Sequence, residues 1–72
     1  MNSFEQNYPN ISRWVKEQGW IEIGRDDYSS SMVRALDEGR MVWEGQTRYK
    51  SLDEALEALE KGLKEWMTEQ QL

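Results

Sequence analysis

The clearest periodicity in this chain lies in its last third. Ser51 and Glu54 have the spacing of a capping box, in which each residue satisfies a backbone donor at the start of a helix. After them, apolar residues recur at three- and four-residue spacing, which places them on one side of a helix: Leu52, Ala55, Leu56, Leu59, Leu63, Trp66 and Met67. The pattern predicts a helix over residues 51–67. Gly62, in its middle, predicts close packing against a strand or an aromatic ring, with simple tolerance of a glycine as the alternative.

A second, shorter stripe of helical spacing comes before the middle of the chain and consists of Ile11, Trp14 and Val15. Asn10 is a good N-cap for this helix, and Gly19 ends it near Gln18. Residues 1–9 are mostly polar and are predicted to be a flexible N-terminus. Residues 10–72 are predicted to form a single domain.

Three short runs between the helices are typical of strands and cover residues 20–25, 30–37 and 41–45. Asp37-Glu38-Gly39-Arg40 predicts a hairpin in which Gly39 has a positive φ. Connections this short make neighbouring strands antiparallel. The predicted fold class is therefore α+β, with a three-stranded antiparallel meander on a long C-terminal helix after a short N-terminal helix (α-β-β-β-α).

The alternation of side chains along the strands leaves neither face of this sheet cleanly polar. If Met41 and Trp43 face the long helix, Val42 and Glu44 face the other way. One helix covers only one side of three strands, so the second face needs the N-terminal helix or a partner. The candidate interaction surface on that second face consists of Trp20, Met32, Arg34, Leu36 and Val42.

Composition narrows the possible functions. The chain has 72 residues, no cysteine and no histidine, so it lacks thiolate ligands, the commonest metal ligand and the usual general base. The serines of residues 29–31 therefore have no histidine to activate them. The acids Asp26, Asp27, Asp37 and Glu38 are expected to be solvated turn residues. We expect no enzyme activity, no cofactor, no metal and no small-molecule substrate.

The net charge of −5 opposes binding to phosphate backbones and anionic lipid, so nucleic acid is disfavoured as a partner and a membrane is not expected. No basic stretch followed by an apolar one opens the chain, which predicts a cytoplasmic protein. The four tryptophans are expected to build the core rather than a stacking platform for bases. Trp14 and Trp66 lie on the apolar stripes, whereas Trp20 is expected to be partly exposed.

Two resemblances extend this interpretation. The segments Trp-Ile-Glu-Ile-Gly, Met-Val-Trp-Glu-Gly and Ser-Leu-Asp-Glu-Ala-Leu resemble small uncharacterised proteins common in cyanobacteria, a family without an assigned activity. Residues 20–66 resemble, more weakly, the HicB-type antitoxins. That resemblance rests on the Asp-Asp-Tyr break, the third strand ending in Glu-Gly-Gln-Thr, and the Ser-Leu-Asp-Glu-Ala-Leu helix start. The resemblance implies a partial RNase-H-like fold and a protein that neutralises a small basic ribonuclease toxin.

Three functional hypotheses follow. The first is a non-catalytic protein-interaction module that self-associates or binds a protein partner through the second sheet face. The second is an antitoxin-like inhibitor that binds a basic toxin through an acidic helix face formed by Glu57, Glu60 and Glu65. The third is single-stranded nucleic-acid binding through basic residues near the sheet: Arg25, Arg34, Arg40, Arg48 and Lys50.

Overall fold

The computed structural model describes residues 3–24 and 30–72. Within them the element order is helix, helix, three strands and helix. The sequence predicts this order except for the first helix, which is additional. The bounds are α1 Phe4–Asn7, α2 Pro9–Glu17, β1 Trp20–Ile23, β2 Val33–Leu36, β3 Met41–Glu44 and α3 Leu52–Glu69. The strands form one antiparallel sheet in the order β1-β2-β3, which confirms the α+β meander.

Helix α3 begins where its capping residues predict. The Ser51 side chain accepts a hydrogen bond from the Glu54 amide at 3.2 Å, and the carboxylate of Glu54 accepts from the Lys50 amide at 3.0 Å. Glu54 thus reaches one residue further back than in a standard capping box. The two bonds satisfy amides on both sides of the helix start and fix the direction in which the chain enters α3.

The N-terminal region differs from the prediction. Residues 1–9, expected to be flexible, include α1 and the first residue of α2. Ser3 and Gln6 form a capping box that starts α1, and Pro9 takes the first position of α2, where its missing N–H costs nothing. Asn10 is therefore inside α2 and is not its N-cap.

The core lies between the sheet and the two longer helices. Side chains of Val33 and Ala35 point to the same side of β2 and are fully buried there. They pack with residues from α2 and α3: Ile11, Trp14, Ala55, Leu59, Leu63 and Met67. Helix α2 lies against β1 and α3, while α3 lies against β2 and β3. Helices α2 and α3 therefore cover the same face of the sheet, and α2 does not cover the second face.

Aromatic packing joins the two helices at this core. The rings of Trp14 and Trp66 meet edge to face with their centroids 5.4 Å apart. Trp14 is completely buried, and its indole Nε1 donates to the backbone oxygen of Trp20 at 3.1 Å. One buried tryptophan thereby fixes α2 against both α3 and the start of β1, as expected of a structural tryptophan.

The turns and the strand ladder show further differences. The hairpin at residues 37–40 is present, but Gly39 does not have a positive φ. Instead, the Asp37 carboxylate accepts from the amides of Gly39 and Arg40 and closes the turn.

Between β2 and β3 the register shifts by one residue. Ala35 lies opposite Trp43, yet Leu36 lies opposite Met41, which leaves Val42 as the extra residue of a β-bulge.

Candidate functional site

The second face of the sheet carries an apolar row across all three strands. Trp20 of β1 lies opposite Leu36 of β2, which in turn lies opposite Met41 of β3. The Trp20 side chain is 43% exposed and that of Met41 is 41% exposed, with Leu36 partly buried between them. These three residues are called the apolar row below. None of the described helices lies over this row, so its side chains are accessible to a partner.

A charged row lies beside the apolar row on the same face. It consists of Glu22, Arg34 and Glu44, one from each strand, in direct register. Arg34 is only 3% exposed, and hydrogen bonds within the chain hold its guanidinium in place. Its Nε donates to Glu22 at 3.2 Å, and its terminal nitrogens donate to the backbone oxygens of Ser31 and Gly24. Arg34 therefore ties the end of β1 to the segment before β2, and a buried charge needs partners of this kind.

The five residues predicted for the interaction surface are placed differently from one another. Trp20 and Leu36 lie on the open face, in the apolar row. Arg34 lies on that face but is buried and bonded within the chain. Met32 and Val42 are partly buried and pack against the core. The prediction that this surface binds a partner is not tested by these placements and stays a prediction.

Met41 is the residue of this surface that sequence reasoning missed. Strict alternation from Trp43 places Met41 on the helix-covered face and Val42 on the open face. The bulge adds one residue to β3, so Met41 lies opposite Leu36 and Val42 turns toward the core. No glycine or proline in β3 marks this bulge, and the sequence therefore contains no signal for it.

The acidic side of α3 is partly committed to the fold. The carboxylate of Glu60 accepts hydrogen bonds from the backbone amides of Asn10 and Ile11, at 2.9–3.0 Å, and from the Asn10 side chain at 2.6 Å. Helix α2 has no side-chain cap of its own, so Glu60 supplies the cap from another helix. Of the acids predicted to bind a basic toxin, Glu57 and Glu65 are the exposed ones.

Tyr8 lies next to this acidic side, and its surroundings disfavour the charged phenolate. Desolvation raises the pKa of the Tyr8 phenol, and the carboxylates of Asp53, Glu57 and Glu60 raise it further. Subtracting the near-ultraviolet alkaline titration of Tyr8→Phe from that of the wild type should isolate the Tyr8 phenolate. We expect a midpoint above the ordinary value of about 10.

Removing one of the nearby acids should lower that midpoint. Glu57→Gln removes a charge that opposes ionisation, so its Tyr8 titration should shift toward lower pH. Glu65→Gln, on the same helix, removes an acid that does not raise the Tyr8 pKa and is the matched control. Equal shifts in the two variants would contradict a specific effect of Glu57.

The basic residues predicted to contact nucleic acid do not form one surface with Arg34. Arg40, Arg48 and Lys50 are exposed, whereas the Arg34 guanidinium is bonded within the chain. Arg25 lies outside the described residues, as do Asp26 and Asp27. Arg34 can therefore contribute little to a nucleic-acid surface without breaking its own hydrogen bonds.

A shallow cleft beside α1 and α2 has a volume of about 280 Å³ and is lined mainly by apolar atoms, among them those of Phe4, Ile11 and Val15.

Across residues 3–24 and 30–72, no three acidic side chains come together in a way that could hold a metal ion. In those same ranges, none of the helices combines the length and apolarity needed to cross a bilayer.

Comparison with known proteins adds no relative. Neither the known protein families, nor the curated proteins, nor the solved structures contain a match to this chain. The resemblances to cyanobacterial proteins and to HicB-type antitoxins therefore stay predictions from short segments.

Proposed function

We propose that this chain is a non-catalytic protein-interaction module that acts in the cytoplasm and binds a protein partner through the second sheet face. The observation that supports this proposal is the apolar row of Trp20, Leu36 and Met41, which lies on the face opposite the helices. Exposed apolar patches of more than a few hundred Å², rimmed by polar residues, mark interaction sites, and this row would be the centre of such a patch. Tryptophan and methionine are also enriched at protein interfaces.

The surroundings of the row indicate the chemistry of the partner. The charged row on the same face, next to the apolar row, contains two acids, Glu22 and Glu44, and one base, Arg34, which pairs with Glu22; the whole chain has a net charge of −5. A complementary partner presents apolar side chains beside lysine or arginine. A second copy of the chain would instead bring acids against acids. Three partly exposed side chains also supply much less than the roughly 800 Å² per partner that stable interfaces bury, so the row is the centre of a larger contact.

Site-specific photo-crosslinking in the native host tests this proposal. A photoreactive amino acid at position 41 should capture one basic protein, whereas the same group at Lys61, exposed on α3, should not. The captured protein, once purified, should bind the wild type at least about tenfold more tightly than Met41→Lys. Met41 is half exposed, so this variant should keep the wild-type melting temperature. Capture at both positions, or equal affinities, would overturn the proposal.

A further inference from the structure

The outer edge of β1 is the regular edge of this sheet. Strand β1 pairs with β2 on one side, in continuous register over its four residues, whereas the edge strand β3 contains the bulge. A bulge disrupts the regular spacing of backbone groups and is one way in which proteins protect a sheet edge from further pairing. Among the described residues, no strand pairs with the other side of β1.

The hydrogen-bond pattern shows which backbone groups face that edge. The Gly24 amide donates to the Met32 oxygen at 2.6 Å, in the same register as the Glu22–Arg34 pair. Alternate residues of an antiparallel strand bond to the same neighbour, so the N–H and C=O groups of Glu22 and the N–H of Gly24 point toward β2. Ile21 and Ile23 therefore direct theirs outward.

The side chains around this edge divide by face. On the helix-covered side, Ile23 is 52% exposed. On the second face, Trp20 is accessible and its Nε1 donates to the Glu22 carboxylate at 3.3 Å. The edge thus offers apolar contacts on one side and an aromatic ring with a carboxylate on the other.

We propose that an extended segment of the partner, with alternating apolar and basic residues, adds to the sheet as a fourth strand along β1. The inference rests on the proposed function, because it specifies how the apolar and basic partner docks. A strand satisfies the outward groups of Ile21 and Ile23, which a helix cannot do. Its apolar side chains pack on Ile23, and its basic side chains lie near Glu22 and over Trp20.

The position of α2 explains why the occupant is a single strand and not a second copy of the chain. Helix α3 lies over β2 and β3, and α2 lies beside it over β1. Packed helices are about 8–10 Å apart and strands about 4.8 Å apart, so α2 reaches the edge of the sheet. If two copies of the chain paired their β1 strands in antiparallel orientation about a twofold axis, the helices of both copies would lie on the same face of the joined sheet. The two α2 helices would then overlap, whereas an extended segment brings no helix.

Amide hydrogen exchange with a synthetic peptide tests the inference. The probe has about nine residues in which valine and lysine alternate, and the control peptide has proline in place of the central valine. At saturation, exchange at the Ile21 and Ile23 amides should slow by at least about tenfold. The Glu22 amide, which already faces β2, should change less. The proline peptide should leave all three amides unchanged.

Two variants locate the binding. Ile23→Lys replaces the apolar contact with the valines by a charged side chain and adds positive charge near a basic peptide, so it should weaken binding by at least about tenfold. Met41→Lys, at the opposite edge, should change it by less than about threefold, which separates this inference from the test of the apolar row. The inference is overturned if the peptide leaves Ile21 and Ile23 unprotected. It is also overturned if the free protein is a dimer in which these amides are already protected.

Discussion

Replacing Glu60 with alanine is expected to lower the free energy of unfolding by about 2–3 kcal/mol. The carboxylate accepts from two backbone amides and one side-chain amide at the start of α2, and its negative charge lies at the positive end of that helix. Alanine leaves the amides of Asn10 and Ile11 without these acceptors. The midpoint of denaturant unfolding measures the loss, provided that the m-value stays constant.

Two controls separate this effect from a general effect of charge. Glu65→Ala removes an exposed acid of the same helix and should change stability by less than about 0.5 kcal/mol. Asn10→Ala removes the side-chain donor but keeps both backbone donors, so its loss should be smaller than that of Glu60→Ala. A loss in Glu65→Ala equal to that in Glu60→Ala would show that α2 does not depend on this cap.

Replacing Gly62 with alanine is expected to destabilise the fold by about 1–2 kcal/mol, although alanine is the better helix former. A β-carbon at position 62 would lie 2.2–2.8 Å from three atoms of the Trp43 indole. Real contacts of this kind are longer than 3 Å, so the ring or the helix must shift. The energetic cost of this shift outweighs the gain of about 1 kcal/mol in helix propensity.

The same substitution should have the opposite sign when the ring is removed. In a Trp43→Leu background, Gly62→Ala is expected to stabilise the fold by up to about 1 kcal/mol, and thermal unfolding of the four proteins of this cycle gives the coupling. Ala58→Gly, one turn earlier in α3 at a partly buried position, is the reference for helix propensity and should cost about 1 kcal/mol. If the leucine variant does not fold, Gly62→Ala remains decisive in the wild type, where a gain in stability contradicts the close packing.

The parts of the fold that follow from nearby residues could be predicted from the sequence. The extent of α3 follows from its apolar spacing and from Ser51, and the strand order follows from the short connections. Gly62 predicted a close contact because a glycine in mid-helix needs a reason, and Trp43 supplies it. The helix start and the strand order depend on residues close together in the chain, whereas Trp43, the partner of Gly62, lies in a separate element, β3, and is not identified by the sequence.

The parts that depend on distant residues could not be predicted. Gly19 was expected to end α2 by its backbone conformation, but it has no positive φ, and a side chain there would collide with the Leu36 carbonyl. The bulge that brings Met41 into the apolar row arises between two strands. The burial of Arg34 arises from oxygens on two neighbouring segments. Sequence periodicity contains none of this information, because it describes one element at a time.

The cap that Glu60 provides also has a consequence for biosynthesis. Asn10 and Glu60 are separated by 50 positions in the chain. At about 5–20 residues per second, a ribosome adds Glu60 about 3–10 seconds after Asn10. Through that interval the start of α2 lacks its acceptor, and the faces that Trp14 and Ile11 bury in the finished protein have no α3 to pack against. The amino-terminal half therefore cannot mature first and must wait for the last helix to be translated.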